Sequence, residues 1–204
     1  MSNILLQETT GKYTANLVDE DGVAIAGSSL NVMQITVFDL KSGTILRTTE
    51  DCLNSGDVTV DANGLVTWNI QPYETQIVGE NVPFNSTEQH FALFEVLYNA
   101  AATHAATSFT FGSTVDTKLV TVNKTAHGLS VNDHVAFVDA DPIGGIELDG
   151  LAIVTAVTDV DNFTIKCKPT ATATDSQAQT CDAYFGGTAA KHAYQFSVRR
   201  VDAV

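Results

Sequence analysis

The run E-Q-H-F-A-L-F-E-V-L-Y-N, Glu88–Asn99, decides how the rest of the chain is read. It alternates like a strand, with His90, Ala92, Phe94, Val96 and Tyr98 on one face and Phe91, Leu93, Glu95 and Leu97 on the other. Aromatic and β-branched residues are frequent, and neither Gly nor Pro interrupts them. Apolar residues on both faces mark a central strand of a sandwich, and a central strand needs neighbours to pair its backbone groups. The matching stretch is Ala193–Val201, A-Y-Q-F-S-V-R-R-V, where Tyr194, Phe196 and Val198 alternate with Gln195, Ser197 and Arg199. If these two strands are partners, everything between them is inserted into one hairpin.

Upstream, the chain reads as short strands. Lys12–Val18 alternates through Tyr13, Ala15 and Leu17 and meets the turn Asp19-Glu20-Asp21-Gly22. Leu30–Leu40 is long, Lys41-Ser42-Gly43 turns it into Thr44–Thr49, and Asp57–Val60 runs into Asp61-Ala62-Asn63-Gly64, a hairpin signal because Asn-Gly tolerates positive φ. Leu65–Ile70 carries the one tryptophan, Trp68, on a face with Val66 and Ile70, which reads as a core plug. Pro72 stops that strand, and Gln71–Pro83 is irregular with room for one helical turn. This gives about six strands before Asn99, with the seventh of a sandwich missing until residue 193. The expected organisation is therefore all-β: a discontinuous immunoglobulin-like sandwich, 1–100 plus 186–204, and a small β-barrel at 101–185 inserted in its last hairpin. Ala100–Thr107 and Thr170–Thr180 are small and polar, and read as the two crossings. Between them Leu119–Val122, His134–Val138, Leu151–Val157 and Phe163–Cys167 read as strands of a second unit of roughly 70 residues, near the lower limit of independent folding.

Composition excludes several classes. The 204 residues carry a formal charge of −14, which argues against nucleic acid or anionic lipid as the direct ligand. No run approaches the ~20 apolar residues of a membrane helix, and Met1–Thr10 lacks the pattern of a signal peptide. Cys52, Cys167 and Cys181 are an odd, widely spaced set without C-x-x-C, and read as buried free thiols. A Cys167–Cys181 bridge is not expected in a reducing cytosol.

No chemistry-bearing spacing stands out. His127, Ser130, Asp133 and His134 lie close in sequence, but as a loop leading into a strand, and G-x-S-x-G is absent. There is no H-E-x-x-H, Walker loop or dinucleotide fingerprint, and Gly186-Gly187-Thr188 lacks the lysine of a phosphate loop. The pairs Asp19/Asp21, Asp139/Asp141 and Asp159/Asp161 miss the calcium-loop spacing and read as turn residues. Asn85-Ser86-Thr87, Asn123-Lys124-Thr125 and Asn162-Phe163-Thr164 are glycosylation sequons of the frequency chance gives a Thr-rich chain. His90 and His192 would come close if the framing strands pair, where packing or hydrogen bonding is the expected role. The expectation is no catalytic, cofactor-binding or metal-ligating residue, and no cofactor.

Two stretches carry a resemblance. V-T-V-N-K-T-A-H-G-L-S-V-N-D-H-V-A-F (Val120–Phe137) and G-G-I-E-L-D-G-L-A-I-V-T-A-V-T-D-V-D-N-F-T-I (Gly144–Ile165) are similar to a small β-barrel module of tailed-phage structural proteins. That module is often likened to a half-domain of ubiquitin-activating enzymes. It carries no catalytic residues, so the resemblance implies no conjugation chemistry. Val60–Trp68, Glu88–Tyr98 and Lys191–Val201 resemble an immunoglobulin-like domain of phage virion proteins, in which the last two are adjacent hairpin strands. The resemblance implies a non-enzymatic structural protein of the virion, made in the host bacterial cytoplasm. Its partners would be other virion proteins (capsid, portal or connector, or tail) in a symmetric multi-copy assembly. A short acidic chain without a fibre or coiled-coil segment points first to a head decoration or a neck or collar component. Tail or baseplate comes second, and a carbohydrate-binding adhesion module third.

Overall fold

A computed structural model describes residues 4–53, 55–79 and 82–201, with the side chains of 48–50 left undescribed. The chain is all-β. In order, the strands are β1 (Ile4–Leu6), β2 (Gly11–Asn16), β3 (Leu30–Asp39), β4 (Ile45–Asp51), β5 (Val58–Val60), β6 (Leu65–Ile70), β7 (Thr87–Tyr98), β8 (Ala102–Ser113), β9 (Leu119–Asn123), β10 (His134–Val138), β11 (Gly150–Val157), β12 (Asn162–Lys166), β13 (Asp175–Phe185) and β14 (Thr188–Arg199). The irregular stretch after β6 contains one 3-10 turn, Pro72–Thr75. Two compact units emerge: Met1–Val96 with Ala190–Val204, and Leu97–Ala189.

The first unit is a sandwich of two sheets, ordered β1-β14-β7-β3-β4 and β2-β6-β5. β7 and β14 are hydrogen-bonded neighbours. Gln89 Nε2 donates to Ser197 Oγ at 2.8 Å, while Lys191 Nζ lies 2.6 Å from Glu95 Oε1, so the two strands run antiparallel. The barrel therefore sits, along the chain, inside the β7–β14 hairpin. The alternation of β7 does the expected work: Ala92, Phe94 and Val96 are buried on the face that meets the second sheet. There Trp68 of β6 lies edge-on to Phe94 and Phe196, with ring centroids 5.6 and 5.9 Å away. The β5–β6 hairpin closes as the Asn-Gly signal predicts. Asp61 Oδ1 accepts from the amides of Asn63 and Leu65 at 2.8 and 2.9 Å, and Gly64 holds φ at +78°. A Cβ there would stand 2.9 Å from the carbonyl oxygen of Ile25. One strand was not anticipated. β1 is only three residues long and pairs parallel with β14, from Ile4 opposite Ser197 to Leu6 opposite Arg199. Its Ile4 and Leu6 side chains are exposed, so no burial pattern marks it in the sequence.

The second unit is a closed barrel ordered β10-β11-β12-β9-β8-β13. Its four inner strands fall where the sequence places them. The two Ala/Thr-rich stretches do not act as crossings: they are largely the long strands β8 and β13, paired antiparallel from Ala102 opposite Phe185 to Ser113 opposite Asp175. The physical reason is that each strand turns only its C-terminal half to the core. Phe109, Phe111 and Ser113 of β8 and Cys181, Ala183 and Phe185 of β13 are buried, whereas most side chains outside those positions are exposed or half-exposed. Threonine favours extended backbone, so small polar residues still build a ladder. A bulge breaks the register between Cys181 and Ala183. Ala106 sits close by with φ at +43°, and its amide donates to the Asp182 carboxylate at 2.6 Å. The barrel interior is filled by phenylalanines: Phe109, Phe111, Phe137, Phe163 and Phe185 pack largely edge to face over Val120, Val122, Val154 and Ile165.

Candidate functional site

The sequence-level hydrolytic set does not assemble. His127 Nδ1 accepts the Leu129 amide at 3.0 Å, so its Nε2 carries the proton and donates to the Asp159 carbonyl, also at 3.0 Å. Both ring nitrogens are spent on backbone, and the ring rests on Phe163. No nitrogen remains to act as a general base. Asp133 accepts the Ser130 amide at 2.8 Å and closes the turn into β10. His127 and Asp133 thus pin the loop that the phage-module resemblance highlighted.

The acidic pairs are turn hardware. Asp19 Oδ1 accepts the amides of Asp21 and Val23 at 3.0 and 2.8 Å, and Asp159 Oδ1 accepts the Asp161 amide at 2.8 Å. Asp139 is a left-handed residue at φ +59°, and the Asp141 carbonyl accepts from Gln179. Trp68 is fully buried, so it offers no stacking surface to a sugar. The three cysteines are free and buried. Burial pushes the Cys52 and Cys181 thiols up to about 12 and that of Cys167 up to about 11. His90 and His192 are not brought together. His90 packs on Phe196 and His192 on Phe94, four residues further along β7, a separation of about 13 Å of extended chain. His192 instead bonds the Tyr13 hydroxyl at 2.7 Å.

Two polar clusters that the sequence did not reveal lie in the sandwich unit. In the first, Arg47 Nη1 stands 2.6 Å from Asp57 Oδ2 and 3.0 Å from Glu74 Oε1. Arg47 and Glu74 are buried, and the Gln71 amide donates to Glu74 Oε2 at 2.6 Å. Burial pushes Glu74 above the ordinary carboxylate range in spite of the guanidinium. For Asp57, burial pulls the same way, but hydrogen bonds from Ser55 and Arg47 outweigh it and hold the carboxyl below that range. This triad ties β4 to the segments before and after β6.

The second cluster is Asp39, Glu88 and His90, all buried, with one donor atom from each lying within 4.8 Å of the others. It adjoins a cleft of about 760 Å³ lined by Asp39, Lys41, Ser42, Gly79, Val82 and Glu88 among others. Glu88 and His90 are two apart on β7 and so share a face. Asp39 ends β3, the neighbouring strand, and the Leu40 amide bonds the Gln89 carbonyl at 2.9 Å, which fixes it beside them. The E-x-H spacing on one strand face was a legible signal. Asp39 is contributed from a distant segment and had none.

No protein-family model matches the chain. No curated protein matches it. Among solved structures, the phage phi92 endosialidase is similar at 13% identity and a TM-score of 0.32, over 89% of this chain and 31% of that one. A TM-score of 0.32 is too low to carry a conclusion about fold or function.

Proposed function

We propose that this chain is a non-enzymatic structural component of a tailed-phage particle. Its position would be the head, as a decoration, or the neck, as a collar component. It would attach to capsid or connector proteins in many symmetric copies. The observation that carries this reading is the placement of the two resembling stretches. Val120–Phe137 and Gly144–Ile165 contribute β9 to β12 of one closed barrel, and the residues they share with the phage module serve its turns. The most enzyme-like side chain in those stretches, His127, is committed to backbone on both nitrogens. The surface is strongly acidic, at −14 for the chain, which favours protein partners over phosphate-bearing ones.

The test is cryo-electron microscopy of particles with and without the gene. The reading expects difference density in repeated copies on the head or neck, large enough for both units. Density confined to tail or baseplate would move the assignment there. No difference density anywhere on the particle would overturn the reading.

A further inference from the structure

We propose that Asp39, Glu88 and His90 form a divalent transition-metal site beside the cleft of the sandwich unit, with zinc as the cation that their N,O,O donor set fits.

The first observation is a hydrogen-bond conflict. His90 Nδ1 lies 3.0 Å from the Glu74 carbonyl oxygen, which can only accept, so Nδ1 carries the proton. In the neutral ring Nε2 is then a bare lone pair, yet it lies 2.6 Å from Glu88 Oε1. Two acceptors at that distance need either a second ring proton or a metal ion between them. A backbone carbonyl that fixes the tautomer and presents the other nitrogen is also the usual support for a metal-bound histidine.

The second observation is independent of the first. Asp39 is 1% exposed, and its Oδ1 has no hydrogen-bond partner. Its Oδ2 is satisfied by the Ser42 amide at 2.5 Å. A carboxylate oxygen buried without a donor is costly unless a cation meets it.

Charge completes the case. Glu88 accepts the Val78 and Gly79 amides at 3.1 and 2.6 Å. Among the described residues no lysine or arginine pairs with either carboxylate. Two buried acids thus face one imidazole without a fixed counter-charge. A four-coordinate zinc with bonds of about 2.1 Å sets its ligand atoms about 3.4 Å apart. The widest separation in the cluster must close from at most 4.8 Å, and the His90–Glu88 pair must open from 2.6 Å. Asp39 and Glu88 also line the cleft, which supplies a path from solvent and a water as fourth ligand.

The experiment uses the full chain, untagged and stripped with EDTA. ZnCl2 is titrated by calorimetry into wild type, Asp39→Asn and Glu88→Gln, with folding checked by far-UV circular dichroism. Asn at 39 keeps an acceptor for the Ser42 amide. The expected result is one equivalent bound by wild type and a loss of affinity of ~100-fold or more in each variant. A second measurement needs no variant: nitrogen NMR of the wild-type histidines during the titration. His90 Nε2 should shift on zinc addition, while Nδ1 stays protonated. No uptake at about 1 mM zinc, equal uptake in folded variants, or His90 resonances unmoved at saturation would each overturn the assignment.

Discussion

Trp68→Ala is the substitution whose cost the structure fixes most closely. The indole is fully buried between the two sheets of the sandwich. It touches Phe94 of β7 and Phe196 of β14, with Tyr13 and Tyr194 at ring separations of 6.4 and 6.5 Å. Phe94 precedes the barrel in the chain and Phe196 follows it, so one side chain bonds both pieces of the discontinuous unit to the second sheet. A buried Trp removes about 150–250 Å² from water. At ~25 cal/mol per Å² that is about 4–6 kcal/mol, of which Ala retains a little through Cβ. One contribution opposes the loss. The indole Nε1 has no hydrogen-bond partner, so deleting it relieves an unmade bond of about 1–3 kcal/mol. The cavity left behind adds to the remaining about 1–5 kcal/mol, so the net expectation is about 3–5 kcal/mol, in line with other buried Trp deletions. Urea unfolding followed by far-UV circular dichroism measures it, since the variant lacks the chain's one tryptophan. With a slope of ~2 kcal/mol per molar, the midpoint should fall by about 2 M. Trp68→Phe keeps a ring and drops the unsatisfied N–H, and should cost only about 1–2 kcal/mol. A midpoint shift under ~0.5 M for Trp68→Ala, about 1 kcal/mol, would refute the picture of an indole joining the two sheets.

Other outcomes follow from the same geometry. Arg47→Ala leaves buried Glu74 and half-buried Asp57 facing each other without a cation, and should destabilise by about 3–5 kcal/mol in the same unfolding assay. Asp57 is held below its ordinary value, so the stability it contributes is present above about pH 4 and lost as the pH falls through its folded value. Asp57→Asn should therefore flatten the decline in stability below about pH 4, whereas Glu74, pushed up, gives a contribution lost as the pH rises above its ordinary range. Gly64→Ala meets both a left-handed backbone and the Ile25 carbonyl, and urea midpoints should report a loss of more than ~1 kcal/mol. With all three thiols buried and raised to about 11 or 12, a thiol reagent at about pH 8 should label the native chain only as fast as it unfolds. Rapid labelling of any one cysteine would show that its site is open.

How much was legible depended on where large apolar residues fell. β7, β6 and β14 alternate strongly because one face of each meets Trp68 and its neighbours, so their sequence announces them. The β5–β6 turn was equally plain, because Asp61, Asn63 and Gly64 carry the turn chemistry themselves. β8 and β13 were not legible over their N-terminal halves. There the side chains are exposed or half-exposed, and small residues without a core behind them look like a linker. β1 was hidden for a related reason: three residues with exposed ends give no period to detect. The polar clusters were hidden by topology. Arg47, Asp57 and Glu74 come from three separate segments, and Asp39 reaches Glu88 and His90 only because β3 lies beside β7. His90 itself was singled out, but with the wrong companion, because the partner strand sets Phe196 rather than His192 against it.

Quantitative mass spectrometry of purified particles, grown from the genome that encodes this chain, tests the structural assignment most directly. The account predicts peptides from both units in intact particles, at a fixed copy number of several per particle that matches a symmetry of the head or neck. Peptides found in infected-cell extract and never in particles would contradict it.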